Sequence, residues 1–340
     1  QTRVNVPDMS GDHSARPGVT FASLGVLGPG AVPDLARRAS ALGFGSFWAA
    51  EATGAESFTV LAAAGAAAPD LNLGTGVVPI QLRTPPLAAM AAATLQALHP
   101  ERDIYLGIGI SSPAVVGRWH GAEFRNDRSL DRVREYVAIV RACLSGEAVD
   151  FDGEFHRVRM FRLGIRLGER APKIVIAALG PKMLRLAGEI ADGVLLNYLP
   201  ASHVATSVAH VRAGGDATVF AYVHAAVGDR ADSLLAARRD LFSYATVDSY
   251  ARMFGEAGFA DEVTELREHF AARDRDGAVA AISERMVDAI DFVGDAPAVN
   301  AFVQAYTHGG VDVPVLMPLP WGTDRLAVVD ATMRAVVDAG

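Results

Sequence analysis

The 340-residue chain is poor in several residue types, and each shortage excludes a class of protein. Cys143 is its one cysteine, so no disulfide can form within the chain and a cytoplasmic location is predicted. No apolar run reaches the ~20 residues of a membrane span, so no membrane partner is predicted. The net charge is −8 and basic blocks are lacking, which argues against a nucleic-acid partner. No H-E-x-x-H or clustered His/Asp/Glu pattern occurs, and no metal site is predicted.

The rest of the sequence alternates between two hydrophobic patterns, which predicts an α/β protein. Short β-branched runs alternate with amphipathic helical segments eight times, the pattern of a (β/α)8 TIM barrel. Insertions follow strands four and seven, the second a helical insertion near 230–290. We predict a flexible N-terminal arm (1–18) and a single barrel domain (19–340). A doubly wound sheet fits the same alternation, but Gly28-Pro29-Gly30 lacks the dinucleotide-binding spacing. The strand predictions are 19–27, 46–50, 71–80, 104–110, 174–178, 194–196, 218–224 and 313–319.

In a barrel the active site lies at the carboxyl ends of the strands, and this rule selects candidates before any motif is considered. Glu51 and Trp321 follow predicted strands, and His224 ends one. Gly180-Pro181 opens a helix after strand five, where free backbone N–H groups can bind an anion beside Lys182. The alternative for this turn is a plain connection between strand and helix. The other lysine, Lys173, opens strand five at the opposite face, which argues against a Schiff-base aldolase or a similar phosphate-site barrel.

Several stretches then resemble one family when they are taken in order. GFGSFWAAEATGAESFTVLAAAGAAAP (43–69), GTGVVPI (74–80), YLGIGIS (105–111), AALGPKMLRLAGEIADG (177–193) and GVDVPVLMPLPWG (310–322) resemble the bacterial luciferase-like monooxygenase superfamily. The resemblance is greatest to its deazaflavin branch, which uses coenzyme F420, and it covers residue 19 to the C-terminus. It implies a flavin or deazaflavin at the strand ends, and hydride or oxygen chemistry.

The resemblance assigns cofactor-binding roles to particular positions. Gly76 and Val77 match a bulge with a non-prolyl cis peptide that lies behind the flavin ring. Ser111 and Ser112 match a loop along the ribityl chain; the alternative is a helix cap or turn. The ribityl–phosphate turn of the family matches Ala178, Leu179, Gly180, Pro181 and Lys182.

One departure from the family concerns proton transfer. After strand two the family commonly has an acid followed by a catalytic histidine, and here the pair is Glu51-Ala52. The alanines around Glu51 predict a desolvated carboxyl that orients the cofactor, acts as an acid/base, or has only a structural role. His120, after strand four, is a second catalytic candidate, although a surface histidine is the alternative. His224 and Trp321 are candidates for contact with the substrate.

The function predicted from these residues is hydride transfer between reduced coenzyme F420 and a small organic substrate with an activated C=C or carbonyl group. The first alternative is an FMN-dependent monooxygenase that uses O2 and a separate flavin reductase. The second is a non-catalytic flavin-binding relative. The partners expected are a small-molecule substrate and a second copy of the chain in a homodimer.

Overall fold

The computed structural model describes residues 16–22, 24–125 and 127–337. The predicted arm (1–18) lies almost entirely outside these residues, and its last residue, Gly18, already belongs to the first strand. The strands in chain order are β1 Gly18–Thr20, β2 Ser46–Ala49, β3 Asn72–Thr75, β4 Val78–Pro79, β5 Ile104–Gly109, β6 Val149–Asp152, β7 Arg157–Phe161, β8 Lys173–Ala177, β9 Gly193–Leu196, β10 Thr218–Val227, β11 Asp291–Gly294 and β12 Val313–Pro318.

Eight parallel strand positions close into a barrel, as the sequence predicts. The order around the barrel is β1, β2, β3 with β4, β5, β8, β9, β10 and β12, and β12 returns to β1. The pairing of β9 with β10 completes the ring, with Gly193 opposite Thr218. β4 continues the path of β3 and pairs with the upper part of β5. The remaining hairpin, β6 and β7, is antiparallel and lies outside the barrel sheet.

Helices cover the outside of the barrel, and the insertion after β10 is helical as predicted. The helices are α1 Val32–Leu42, α2 Ser57–Ala67, α3 Pro85–Leu98, α4 Ser129–Leu144, α5 Pro181–Ile190, α6 Ala201–Arg212, α7 Arg230–Ala245, α8 Asp248–Phe254, α9 Ala260–Ala271, α10 Arg275–Ala280, α11 Glu284–Ile290, α12 Ala296–His308 and α13 Arg325–Val337. Helices α7 to α11 form the insertion. None of the helices in the described ranges is long and apolar enough to cross a membrane.

The barrel interior is packed with aromatic side chains, because alternate residues of each strand face the axis. Trp48 stacks on Tyr105 with ring centroids 5.2 Å apart, and Phe220 contacts both rings. Tyr222 belongs to the same interior cluster, whereas its neighbours Ala221 and Val223 pack on the outer side. The inward face of β10 therefore carries the even-numbered residues.

Three strand predictions are wrong in detail. The first strand ends at Thr20 rather than Leu27, because Ala22 and Leu24 adopt positive φ and the chain leaves the sheet. The third strand is interrupted between β3 and β4. The strand after the insertion, β11, was not predicted; it pairs with the upper half of β10, where His224 lies opposite Asp291.

Candidate active site

The interruption of the third strand is a backbone bulge at the mouth of the barrel. The peptide bond between Gly76 and Val77 is cis, as the resemblance implies. Tyr222 crosses the barrel and donates its hydroxyl to the Gly76 carbonyl at 2.9 Å. A Cβ on Gly76 would lie 1.7 Å from that hydroxyl oxygen, so only glycine fits. The glycine is therefore required by Tyr222, and because Gly76 is buried and Val77 partly exposed, Val77 is the residue of the bulge that a ligand at the strand ends can reach.

Glu51 lies directly beside this bulge. Its backbone N–H donates to the Val77 carbonyl at 3.3 Å. Its carboxylate pairs with Arg83 at 2.7 Å, and Arg83 also pairs with Glu56 at 2.5 Å. The Glu51 side chain is 13% exposed. The carboxyl is largely removed from solvent, but its setting is not purely apolar, because a guanidinium from the loop before α3 lies against it.

His120 approaches the position where the family has its histidine. It follows a π-helical turn at Ala114–Trp119, and its Nε2 lies 2.6 Å from the carbonyl oxygen of Ala52. A carbonyl accepts hydrogen bonds, so Nε2 carries the proton in this contact and Nδ1 is left as an acceptor. His120 is exposed. The fold thus brings a histidine from the loop after β5 to the rim of the barrel beside Ala52, the position at which the family commonly has a histidine.

The two serines after β5 have unequal positions. Ser111 is exposed with φ of 64°. Ser112 accepts a hydrogen bond from the Val115 backbone N–H at 3.3 Å, which is the turn-forming role given above as the alternative. Because Ile80 bonds to the Gly109 carbonyl, both serines lie next to the strand that carries the bulge.

The turn after β8 has the features of an anion site. No neighbouring protein atom requires a glycine at position 180. Gly180 is the N-cap of α5 with Pro181 in the first turn, and no side chain caps the helix. A Cβ on Gly180 would meet nothing within 4 Å. Ala178 is buried and uses its N–H on Leu195, while Lys182 is exposed. Leu179 and Pro181 line a cavity of about 320 Å³ that also borders α6.

These segments follow neighbouring strands, so they form a continuous arc around the mouth. The arc runs from the end of β2 through the bulge, the end of β5 and the turn after β8. Gln81, just after β4, has a buried side-chain amide without a hydrogen-bond partner among the described residues. An orphaned amide beside the bulge fits a flat ring with polar edges, which would satisfy the amide.

His224 and Trp321 lie on the other side of the mouth. Trp321 is half-buried and packs with Leu319 and Val293. His224 is 1% exposed, and both of its ring nitrogens are close to oxygens: Nδ1 to Asp291 at 3.1 Å and Nε2 to Asn197 at 3.0 Å. The substrate contact proposed for His224 therefore competes with a network inside the protein.

Further polar side chains from the insertion complete this network. Asp240 of α7 accepts a hydrogen bond from the Tyr198 hydroxyl at 2.7 Å, and Asn197 donates to the Tyr250 hydroxyl at 3.2 Å. One ligand atom each from His224, Asp240 and Asp291 lies within 4.8 Å of the others. Burial raises the pKa of Asp291 to about 8 and, together with the Asp291 charge, raises the pKa of Asp240 to about 7. Burial also lowers the pKa of His224 to about 4.

The sequence did not single out four side chains of this site: Arg83 as a partner of Glu51, Tyr222, Asp240 and Asp291. Tyr222 could have been found from alternation, because it lies two residues before His224 on a strand. Asp291 had a weaker signal, an acid inside the apolar run AIDFVG. Nothing in the spacing could pair Asp240 with Asp291, since four helices, α8 to α11, separate them.

Comparison with known proteins identifies relatives over most of the chain. Residues 12–313 match the family model described as luciferase-like monooxygenase. A Mycobacterium tuberculosis protein named as a coenzyme F420-dependent oxidoreductase is 30% identical over 83% of this chain and 89% of its own length. The 5,10-methylenetetrahydromethanopterin reductase of Archaeoglobus fulgidus is 27% identical over 78% of this chain and 82% of its own length. The coenzyme F420-dependent tetrahydromethanopterin reductase of Methanopyrus kandleri has the same fold, with a TM-score of 0.74 at 20% identity, covering 95% of this chain and 99% of that structure.

Proposed function

Since the chain belongs to the luciferase-like monooxygenase family, we propose that it is an oxidoreductase that transfers hydride between reduced coenzyme F420 and a small organic substrate with an activated C=C or carbonyl group. The names of the relatives support the cofactor. The observation that carries the proposal is the bulge at Gly76–Val77, because its backbone is held from two sides by Glu51 and Tyr222. A flat ring at the strand ends can approach this fixed segment at Val77, which is partly exposed.

Distinct residues hold the parts of the cofactor. Gly76 and Val77 would lie behind the ring, Glu51 would hold its polar edge, and Ser111 and Ser112 would line the chain that follows. The N-terminus of α5, which no side chain caps, would hold the phosphate, and Lys182 would add a positive charge. Ala178, Leu179 and Pro181 shape that turn. Reduced coenzyme F420, when bound, supplies the hydride.

The protein's own part in the reaction is to orient and to exclude water. Glu51 is fixed by Arg83, which leaves it acting as a positioned acceptor for the cofactor rather than as a mobile base. His120 stands on the rim next to Ala52 and contacts the substrate from the solvent side. His224 and Trp321 form the opposite wall.

Turnover with a probe substrate tests this function. Reduced coenzyme F420 and cyclohex-2-enone are mixed with the enzyme without oxygen, and the return of the oxidised deazaflavin is followed by absorbance. We expect enzyme-dependent oxidation of the cofactor and formation of cyclohexanone. Oxygen consumption with FMN and a flavin reductase, and no reaction with reduced coenzyme F420, would instead establish the monooxygenase, which the name of the family model favours. Binding without turnover in either assay would point to a non-catalytic relative.

Two further predictions concern the state of the protein in the cell. The homodimer is tested by light scattering, which measures the molar mass of the purified protein in solution. The mass of a monomer at assay concentration would contradict it. The cytoplasmic location is tested by fractionation of the native host.

A further inference from the structure

His224 lies on β10 two residues closer to the mouth of the barrel than Tyr222, whose hydroxyl contacts the bulge. Tyr222 and His224 share the inward face of the strand, and the Tyr222 hydroxyl bonds to Gly76. A strand rises about 3.3 Å per residue, so His224 stands about 6.6 Å further toward the mouth than Tyr222. β10 continues beyond β9 here, and β11 takes the place of β9 beside it. His224 therefore lies at the level of the strand ends.

The hydrogen-bond partners of His224 imply an additional proton. The Asn197 amide nitrogen bonds to Tyr250, so its carbonyl oxygen is the atom that faces Nε2. The other ring nitrogen, Nδ1, faces the Oδ1 atom of Asp291. A neutral imidazole has only one N–H, and both neighbours are oxygens. One further proton must lie between Nδ1 and Asp291, and Nε2–H then donates toward Asn197.

Burial of the acids favours keeping that proton on the carboxyl side. Asp291 is fully buried, and its second oxygen, Oδ2, has no hydrogen-bond partner in the described part of the chain. The pKa shifts have the same direction, because burial raises those of both acids and lowers that of His224. Asp240 is the half-buried member and gives the pair a route to solvent. The titratable groups around the acids and the ring are Tyr198, Tyr244 and Tyr306, and burial together with the charge of the neighbouring acids raises the pKa of each tyrosine.

The proposed reaction needs a proton at this point. Hydride addition to an unsaturated carbonyl compound leaves negative charge on the carbonyl oxygen, and Ala52 cannot neutralise it. The Nε2–H of His224 already donates to a carbonyl oxygen, that of Asn197, at 3.0 Å. Asn197 is partly exposed, and a substrate carbonyl that replaced its side chain, which is held by Tyr250, would receive the same hydrogen bond.

We propose that His224 is the acid of the reaction and that Asp291 and Asp240 store the proton it passes on; this rests on the proposed function. The hydride from the reduced cofactor forms a C–H bond at the β-carbon, and the C=C π electrons move onto the carbonyl oxygen. Nε2 gives its proton to that oxygen while Nδ1 takes the proton of Asp291, which leaves an enol. The enol then loses its O–H proton to solvent and gains one at the α-carbon, which gives the saturated ketone. The substrate gains two electrons, the cofactor loses two, and the acids regain a proton from solvent through Asp240.

Kinetics of matched variants test the role of His224. His224→Gln keeps a donor toward Asn197 but cannot transfer a proton, so kcat with cyclohex-2-enone should fall by ~10²–10⁴ while cofactor affinity stays unchanged. Asp291→Asn still orients the ring but removes the stored proton, so kcat should fall and its decline at high pH should disappear. His308→Gln, at the exposed end of α12, is the control. Unchanged kcat in His224→Gln, with a large loss in His120→Gln, would overturn the proposal.

Nitrogen-15 NMR of the cofactor-free protein gives a readout that does not depend on activity. We expect one histidine to remain in the neutral Nε2–H form at mildly acidic pH, and its signal to be absent from His224→Gln. A doubly protonated His224 at neutral pH, or a stoichiometric divalent cation found by elemental analysis, would overturn the proton store. If His224→Gln does not fold, Asp240→Asn at the half-buried position replaces it. We then expect a lower kcat, because Asp291 regains its proton from solvent more slowly. Absence of turnover in the wild type would refute the proposed function. The NMR spectrum would still test whether His224 is neutral and Asp291 holds the proton.

Discussion

Gly76→Ala is the substitution whose cost the structure determines most directly. The new Cβ would lie 1.7 Å from the Tyr222 hydroxyl oxygen, 2.7 Å from Tyr222 Cζ and 3.3 Å from Trp48 Cε3. Neither ring can move freely, because Trp48 and Tyr222 are both buried in the barrel interior. The variant therefore has to displace Tyr222 and break its hydrogen bond to Gly76.

Two terms set the size of the effect. Overpacking a core costs about 1–3 kcal/mol, and a buried carbonyl left without its donor costs about 1–3 kcal/mol. We expect the free energy of unfolding of the cofactor-free protein to fall by roughly 2–6 kcal/mol, the sum of these two terms. Urea unfolding followed by circular dichroism measures it. Gly180→Ala is the matched control, since its Cβ meets nothing within 4 Å and its φ is −82°; surface substitutions of this kind usually change stability by less than about 0.5 kcal/mol.

A double-mutant cycle separates the clash from other causes. Tyr222→Phe removes the atom nearest to the added Cβ, so Gly76→Ala should cost less in that background than in the wild type. The relief should be partial, because Cζ remains 2.7 Å away. Equal stability of Gly76→Ala and Gly180→Ala, or strictly additive effects in the cycle, would refute this account of the bulge.

The remaining predictions concern the cofactor site and the acid pair. Gly180→Val should weaken cofactor binding by about 1–3 kcal/mol in a fluorescence titration, because a branched side chain blocks the approach of an anion to the backbone; equal affinity would place the anion elsewhere. Glu51→Gln should weaken cofactor binding and leave kcat at saturation unchanged, and a large loss of kcat at unchanged affinity would show an acid/base instead. Asp291→Asn should flatten the pH dependence of stability. The pKa of Asp291 rises from about 3.9 when unfolded to about 8 when folded, so the wild type loses stability as pH rises through this range; identical pH profiles of wild type and variant would contradict this.

The barrel could be predicted from the sequence because its signals are local. Each strand and helix has its own hydrophobic period, and Gly180-Pro181 marks a boundary without reference to distant residues. The bulge at Gly76–Val77 required the family resemblance, since a glycine followed by two valines has no spacing that distinguishes a bulge from a continuous strand. The predicted length of the first strand was wrong for the same reason, because a run of apolar residues does not indicate the positive φ of Ala22 and Leu24.

The polar contacts of the site depended on tertiary structure. Arg83 is 32 residues from Glu51 in the chain, and His120 is 68 residues from Ala52. Asp291 meets His224 only because β11 pairs with β10 after the helical insertion. Alternation predicts the face on which a side chain lies, but not the partner that another segment brings to it.

Cofactor choice tests the central claim most directly. The purified cofactor-free protein is titrated separately with coenzyme F420 and with FMN, and binding is followed by fluorescence quenching. We predict tighter binding of coenzyme F420 than of FMN, with the Gly180→Val variant weakened toward both. Micromolar binding of FMN without any response to coenzyme F420 would contradict the account and favour the flavin-dependent monooxygenase.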